Sequence, residues 1–146
     1  MSLSATQKAY LAGFLDGDGS IYVRLKPNPT YRYGFQVAPY IILFQSAKDR
    51  EKFKHVCKLV GCGYVRERSD GVLEHTINRI EDLHTFLSIV KPYVILKKEQ
   101  VKLMLKILRL KSKVKDKEDF RSLMELIDSF RDLNYSKTRK IRVLTP

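Results

Sequence analysis

The sequence is poor in cysteine, in acidic residues and in long apolar runs, and each shortage removes a class of function. Its two cysteines, Cys57 and Cys62, match no zinc-ligand spacing, and His55, His75 and His84 are too scattered to supply a ligand set. They read as a semi-buried thiol and a turn thiol in a reduced intracellular protein. No apolar run approaches the ~20 residues a membrane span needs, so no membrane partner is expected. The start, Met1 to Gln7, lacks the charged and apolar regions of a signal peptide. Acidic residues number 16 against 28 Lys plus Arg, a net charge of +12. Such an excess opposes compaction by self-repulsion, and its usual partner is a polyanion: DNA, RNA or an acidic membrane surface. With 44% hydrophobic residues in a chain of 146, a real core is available. There is no low-complexity linker and no second copy of the first helix, so residues 1–146 read as one domain ending in a basic tail from residue 134.

Ser4 and Gln7 have capping-box spacing, opening a helix through Tyr10, Leu11, Phe14 and Leu15. Asp16-Gly17-Asp18-Gly19 reads as its C-terminal glycine signal. Ile21, Val23 and Leu25 then alternate with Tyr22, Arg24 and Lys26, a period-two strand with a partly basic face. After the Pro27–Thr30 loop, a second strand runs from Phe35 to Gln45. Ser46 caps a helix carrying Phe53, Val56, Cys57 and Val60, stopped by Gly61-Cys62-Gly63. A hairpin follows, with Tyr64 to Arg68, an Asp70-Gly71 turn and Leu73 to Asn78. Helices carrying Leu83 to Val90, Val101 to Leu108 and residues 118–133 complete the pattern. The order αββαββα with C-terminal helices predicts an α+β fold: one four-stranded antiparallel sheet covered by helices.

The unusual chemistry lies at the end of the first helix. A helix C-terminus carries partial negative charge, so carboxylates at Asp16 and Asp18 are locally unfavourable. A cation would stabilise them, and oxygen donors without nearby Cys or His suit a hard ion such as Mg²⁺; a plain Asx turn is the alternative. Gly13 and Gly17, four apart, let a second backbone approach closely, either the same helix of another chain or an element of this one.

The segment Leu11-Ala12-Gly13-Phe14-Leu15-Asp16-Gly17-Asp18-Gly19, followed by Ser20-Ile21, resembles the motif that names the LAGLIDADG homing endonucleases. Lys26-Pro27-Asn28, Gly61 to Arg66, Leu83 to Leu87 and Ser136 to Lys140 resemble the chloroplast-type, group I intron-encoded members with a single motif. The resemblance implies a homodimer that hydrolyses phosphodiesters in long, pseudo-palindromic duplex sites, cutting across the minor groove to leave short 3′ overhangs. It implies Asp18 and the Gly17 carbonyl as metal ligands, Asp16 as chiefly structural, Gln45 as positioning the attacking water, and Lys97 (with Lys98 nearby) as stabilising charge at the phosphate. Where relatives carry a further basic residue, the register gives Asp49, with Arg50 beside it. Mg²⁺ is the implied cofactor, with Mn²⁺ as a substitute and Ca²⁺ supporting binding with little cleavage. The implied two-fold helix contact comprises Leu11, Ala12, Gly13, Leu15 and Asp16.

The resemblance also places the sheet in the major groove. Strand alternation then turns Tyr22, Arg24, Lys26 and Asn28 toward DNA, with Thr30 and Tyr31 in the loop. Gln36, Ala38, Tyr40 and Ile42 follow on the second strand, Tyr64, Arg66 and Arg68 on the third, and Glu74 and Thr76 on the fourth. Lys137, Arg139 and Lys140 in the tail are expected on backbone phosphates. No small-molecule substrate is expected. The implied location is an organelle (chloroplast or mitochondrion) or a prokaryotic cytoplasm. The rival reading is an RNA maturase or DNA-binding regulator on the same fold, without cleavage.

Overall fold

A computed structural model describes residues 2–134 and 144. The elements run α1 (Ala5–Asp18), β1 (Gly19–Pro27), β2 (Phe35–Ser46), a 3₁₀ turn (Ala47–Asp49), α2 (Arg50–Val60), β3 (Tyr64–Glu67), β4 (Val72–Ile77), α3 (Ile80–Val90), α4 (Lys98–Lys111), α5 (Lys117–Asp128) and α6 (Phe130–Leu133). This is the α+β architecture expected. The four strands form one antiparallel sheet in the order β1-β2-β4-β3.

The capping box forms as the sequence predicts: the Gln7 N–H donates to Ser4 Oγ at 3.1 Å and the Ser4 N–H to Gln7 Oε1 at 2.9 Å. The other end of α1 differs from expectation. Gly19 is extended (φ −118°, ψ 166°), so the chain makes no left-handed cap and passes straight from helix into β1. The glycine there answers a steric demand. A Cβ at Gly19 would lie 2.6 Å from Leu15 Cδ1 and 2.7 Å from the Leu15 carbonyl oxygen. The predicted last long helix is broken at Ser129, whose Oγ and N–H both donate to the Glu125 carbonyl.

One face of the sheet packs on the helices. Ile21, Ile41, Leu43, Leu73 and Ile77 from the strands meet Leu11 and Leu15 of α1, Leu83 and Leu87 of α3 and Met104 of α4, all at most 1% exposed. Strand β3 is an edge, exposed along its whole length. A smaller cluster of Tyr33, Phe120 and Leu144 packs where the β1–β2 connection meets α5. Among the described residues no helix is long and apolar enough to cross a membrane.

Candidate functional site

The two acids at the end of α1 have opposite environments. The Asp16 carboxylate accepts three backbone N–H groups from the turn leading into α4: Ile95 (2.8 Å), Leu96 (3.2 Å) and Lys97 (3.0 Å). Lys97 Nζ donates to the Asp16 carbonyl oxygen at 2.8 Å, which brings a cation to the negative end of the helix. Asp18 is exposed, with Gly17 beside it. Because α1 ends at Asp18, its last carbonyls have no intrahelical N–H partner. The Asp18 carboxylate and Gly17 carbonyl are hard oxygen donors suited to a divalent cation such as magnesium. Among the described residues no group of three or more His, Cys, Asp and Glu is placed to hold a metal ion.

Gln45 lies near the end of β2, two residues beyond the Gly19–Leu43 pairing, and therefore at the same end of the sheet as Asp18. Its Oε1 accepts from the Ser46 N–H at 2.8 Å. Arg50 points elsewhere, pairing with Glu67 at the end of β3. Lys98 is exposed at the start of α4.

Directly paired residues of antiparallel strands share a face. The register therefore groups Ser20, Tyr22, Arg24 and Lys26 with Ile42, Tyr40, Ala38 and Gln36. It adds Phe44 with Glu74 and Arg66, and Thr76 with Tyr64. The predicted face is thus assembled, and it also takes Ser20 and Phe44, which extending the period-two rule one step along β1 and β2 would have found. Tyr22 stacks on Tyr40 with centroids 5.2 Å apart, and Lys26 Nζ sits 5.2 Å from the Tyr40 ring. Burial raises the Tyr22 phenol above its usual pKa, so it remains a hydrogen-bond donor at neutral pH. Arg66 Nη2 donates to Glu74 Oε1 at 2.7 Å.

Several expectations need correction. Ala38, Ile42, Glu74 and Thr76 are on the right face but no more than 8% exposed, because their larger neighbours cover them. They form the floor of the face, and the exposed Arg24, Tyr64 and Arg66 stand above it. Arg68 lies beyond the end of β3, so alternation no longer governs it, and it pairs with Asp70 in the turn at 2.6 Å. Asn28 is half-buried, and its Oδ1 accepts from both the Thr30 N–H and hydroxyl, while Tyr31 is exposed. Lys137, Arg139 and Lys140 lie outside the described residues.

The predicted two-fold contact changes most. Leu11, Ala12 and Leu15 are fully buried in the chain's own core and cannot reach a partner. Asp16 is committed to the turn at residues 95–97. Gly13 and Gly17 are exposed on the far side of the helix, and a Cβ at either would meet nothing within 4 Å. Beside them, held by Asp16, Ile95 and Leu96 are 78% and 74% exposed. Sequence reasoning missed this apolar pair because it follows no helical or strand period.

Comparison with known proteins bears on the fold and the family. The chain is 37% identical over 132 residues to the DNA endonuclease I-CreI of Chlamydomonas reinhardtii, spanning 90% of this chain and 80% of that one. It is 34% identical over 133 residues to the DNA endonuclease I-CvuI of Chlorella vulgaris, spanning 91% and 83%. The crystal structure of I-CvuI bound to the I-CreI target with magnesium, its DNA not cleaved, superposes with a TM-score of 0.85 at 33% identity, covering 93% of this chain and 87% of that one. The homing endonuclease I-TnaI superposes at 0.76 with 25% identity, covering 93% and 97%. The family model for LAGLIDADG endonucleases matches residues 11–101, and the chain belongs to that family.

Proposed function

We propose that this chain is a homing endonuclease that makes double-strand breaks at long, pseudo-palindromic DNA sites as a homodimer. The observation that carries the reading is the exposed Asp18 carboxylate at the point where α1 becomes the first strand of the basic sheet face. A duplex lying along that face brings its phosphates to the end of α1.

The Asp18 carboxylate and the Gly17 carbonyl would hold the metal, magnesium by the hardness of the donors, with manganese as a substitute. When bound, it polarises the phosphate and stabilises the leaving oxygen. Gln45 orients a water at the same end of the sheet, and the Lys97 ammonium adds positive charge. One chain offers one such carboxylate, and a double-strand cut needs two. The exposed face of Gly13 and Gly17 lets a second α1 approach closely, while Ile95 and Leu96 gain burial against the partner. Arg24, Tyr64 and Arg66 read base edges above the floor of Ala38, Ile42, Glu74 and Thr76. The basic residues of the tail hold backbone phosphates. Burial raises the pKa of both Cys57 and Cys62, which disfavours the reactive thiolate form.

The test is a selection in two steps. Duplexes are captured from a randomised pool with calcium present, and magnesium then replaces calcium. The captured sequences should be two-fold related and should be cut on both strands after the exchange. Captured DNA that remains whole in magnesium and manganese would favour a binding protein without nuclease activity.

A further inference from the structure

The connection between β1 and β2 is not a free loop. Its tip is closed on itself: the Asn28 N–H donates to the Gly34 carbonyl at 2.8 Å, and the Gly34 N–H to the Tyr31 carbonyl at 3.0 Å. Its root is fastened to α5, on the helix side of the sheet. The Tyr33 ring stacks on Phe120 with centroids 5.1 Å apart, and both are under 9% exposed. Arg32 Nη1 donates to the Lys115 carbonyl just before α5, at 3.4 Å. Asp116 caps α5 through the Asp119 N–H, so the helix start is itself fixed. Leu25 near the end of β1, with Phe35 and Val37 at the start of β2, packs against this stack.

A strand rises ~3.3 Å per residue, so this connection begins roughly 30 Å along β1 from Gly19. If Asp18 acts near the middle of the site, the tip with Thr30 and Tyr31 meets its outer end. A hollow of about 240 Å³, lined by Tyr31, Tyr33, Lys111 and Phe120 among others, lies beside the stack. The connection has room to shift into it if the stack is lost.

Resting on the proposed DNA-binding reading, we propose that Phe120 is a positioning residue for sequence recognition. Through Tyr33 it sets where the β1–β2 tip contacts the outermost base pairs of each half-site, although Phe120 faces away from DNA. The experiment compares the unmodified protein with Phe120→Met, Phe120→Leu and Tyr33→Phe on duplexes carrying every base at every position of the selected site. Binding is measured in calcium and cleavage in magnesium. Methionine removes the ring and leaves a flexible apolar side chain of somewhat smaller volume that can fill much of the space, and a thermal melt checks that the variant is folded. Both Phe120 variants should lose about fivefold or more of discrimination at the outermost positions, the scale of losing one oriented contact. Inner positions should be unchanged. Tyr33→Phe keeps the ring, and Tyr33 Oη has no hydrogen-bond partner among the described residues, so its profile should match the unmodified protein. An unchanged outer profile in folded Phe120→Met, or an equal loss at every position, overturns the proposal. Should the unmodified protein bind but not cut, the nuclease reading fails, while the binding profile still decides the role of Phe120.

Discussion

Asp16 and Asp18 are separated by one glycine, yet one is committed to structure and the other is left exposed to solvent. Three N–H groups converge on Asp16 because the turn at residues 95–97 needs an acceptor before α4 starts. On the sheet, Arg66 and Glu74 are similarly unequal partners. The Arg66 side chain is 70% exposed and that of Glu74 only 11%. Arg66→Ala therefore leaves the Glu74 carboxylate without its ion-pair partner and should lower stability, seen as a lower urea midpoint. Arg24→Ala, with no carboxylate partner to strand among the described residues, should stay within ~0.5 kcal/mol. Adding Glu74→Gln to Arg66→Ala should recover part of the loss, as read from urea midpoints. His75 offers a second residue-level test. Burial lowers its pKa, partly offset by its bond to the Cys62 carbonyl. The unfolded chain thus binds the proton first as pH falls. Stability should be at its plateau above the unfolded value of ~6.5 and decline as pH drops through and below it. Thermal melts between pH 7.5 and pH 5.5 should fall for the unmodified protein, and the fall should be smaller for His75→Gln. Equal slopes would contradict this assignment.

Among the elements, α1 shows most clearly what local pattern can and cannot reveal. Its start was legible, since the Ser4–Gln7 pair needs only its own backbone. Its end was not, because the extended Gly19 is dictated by contact with Leu15 one turn back and by pairing with Leu43 in β2. The strands were legible through period two, and so was the face they build. Which of its residues are exposed was not, because exposure of Ala38 and Ile42 depends on the size of neighbours across the sheet. Gly13 within α1 and Gly19 just past its end should respond differently to one methyl group. Gly13→Ala meets open space in a single chain and gains helix propensity of ~1 kcal/mol, so the protomer should hold or gain stability while dimerisation weakens. Gly19→Ala forces a clash within the chain and should cost about 1–3 kcal/mol. Sedimentation and denaturation of both variants would separate the two effects. A Gly13→Ala protein that dimerises normally would remove α1 from the interface.

For the molecule as a whole, net charge pointed to a polyanion before any element was assigned, and the motif with its ordered further matches pointed to the family. The division of α1 into a core side and an exposed side escaped the motif, which lists Leu11, Ala12 and Leu15 beside Gly13 without saying which way each faces. Burial resolves it, and places Ile95 and Leu96 beside Asp16 across about 80 residues of sequence. The central claim is that Asp18 is required for cutting and not for holding DNA. In the proposed complex its negative charge would face phosphates, so removing that charge should leave binding intact or tighten it when no metal is present. The most direct measurement is therefore affinity and cleavage of the same selected duplex by Asp18→Asn, alongside a melt showing that the variant is folded. The account predicts a folded dimer that binds at least as tightly as the unmodified protein in metal-free buffer and leaves both strands uncut in magnesium. Cleavage at the normal rate by this variant would contradict it.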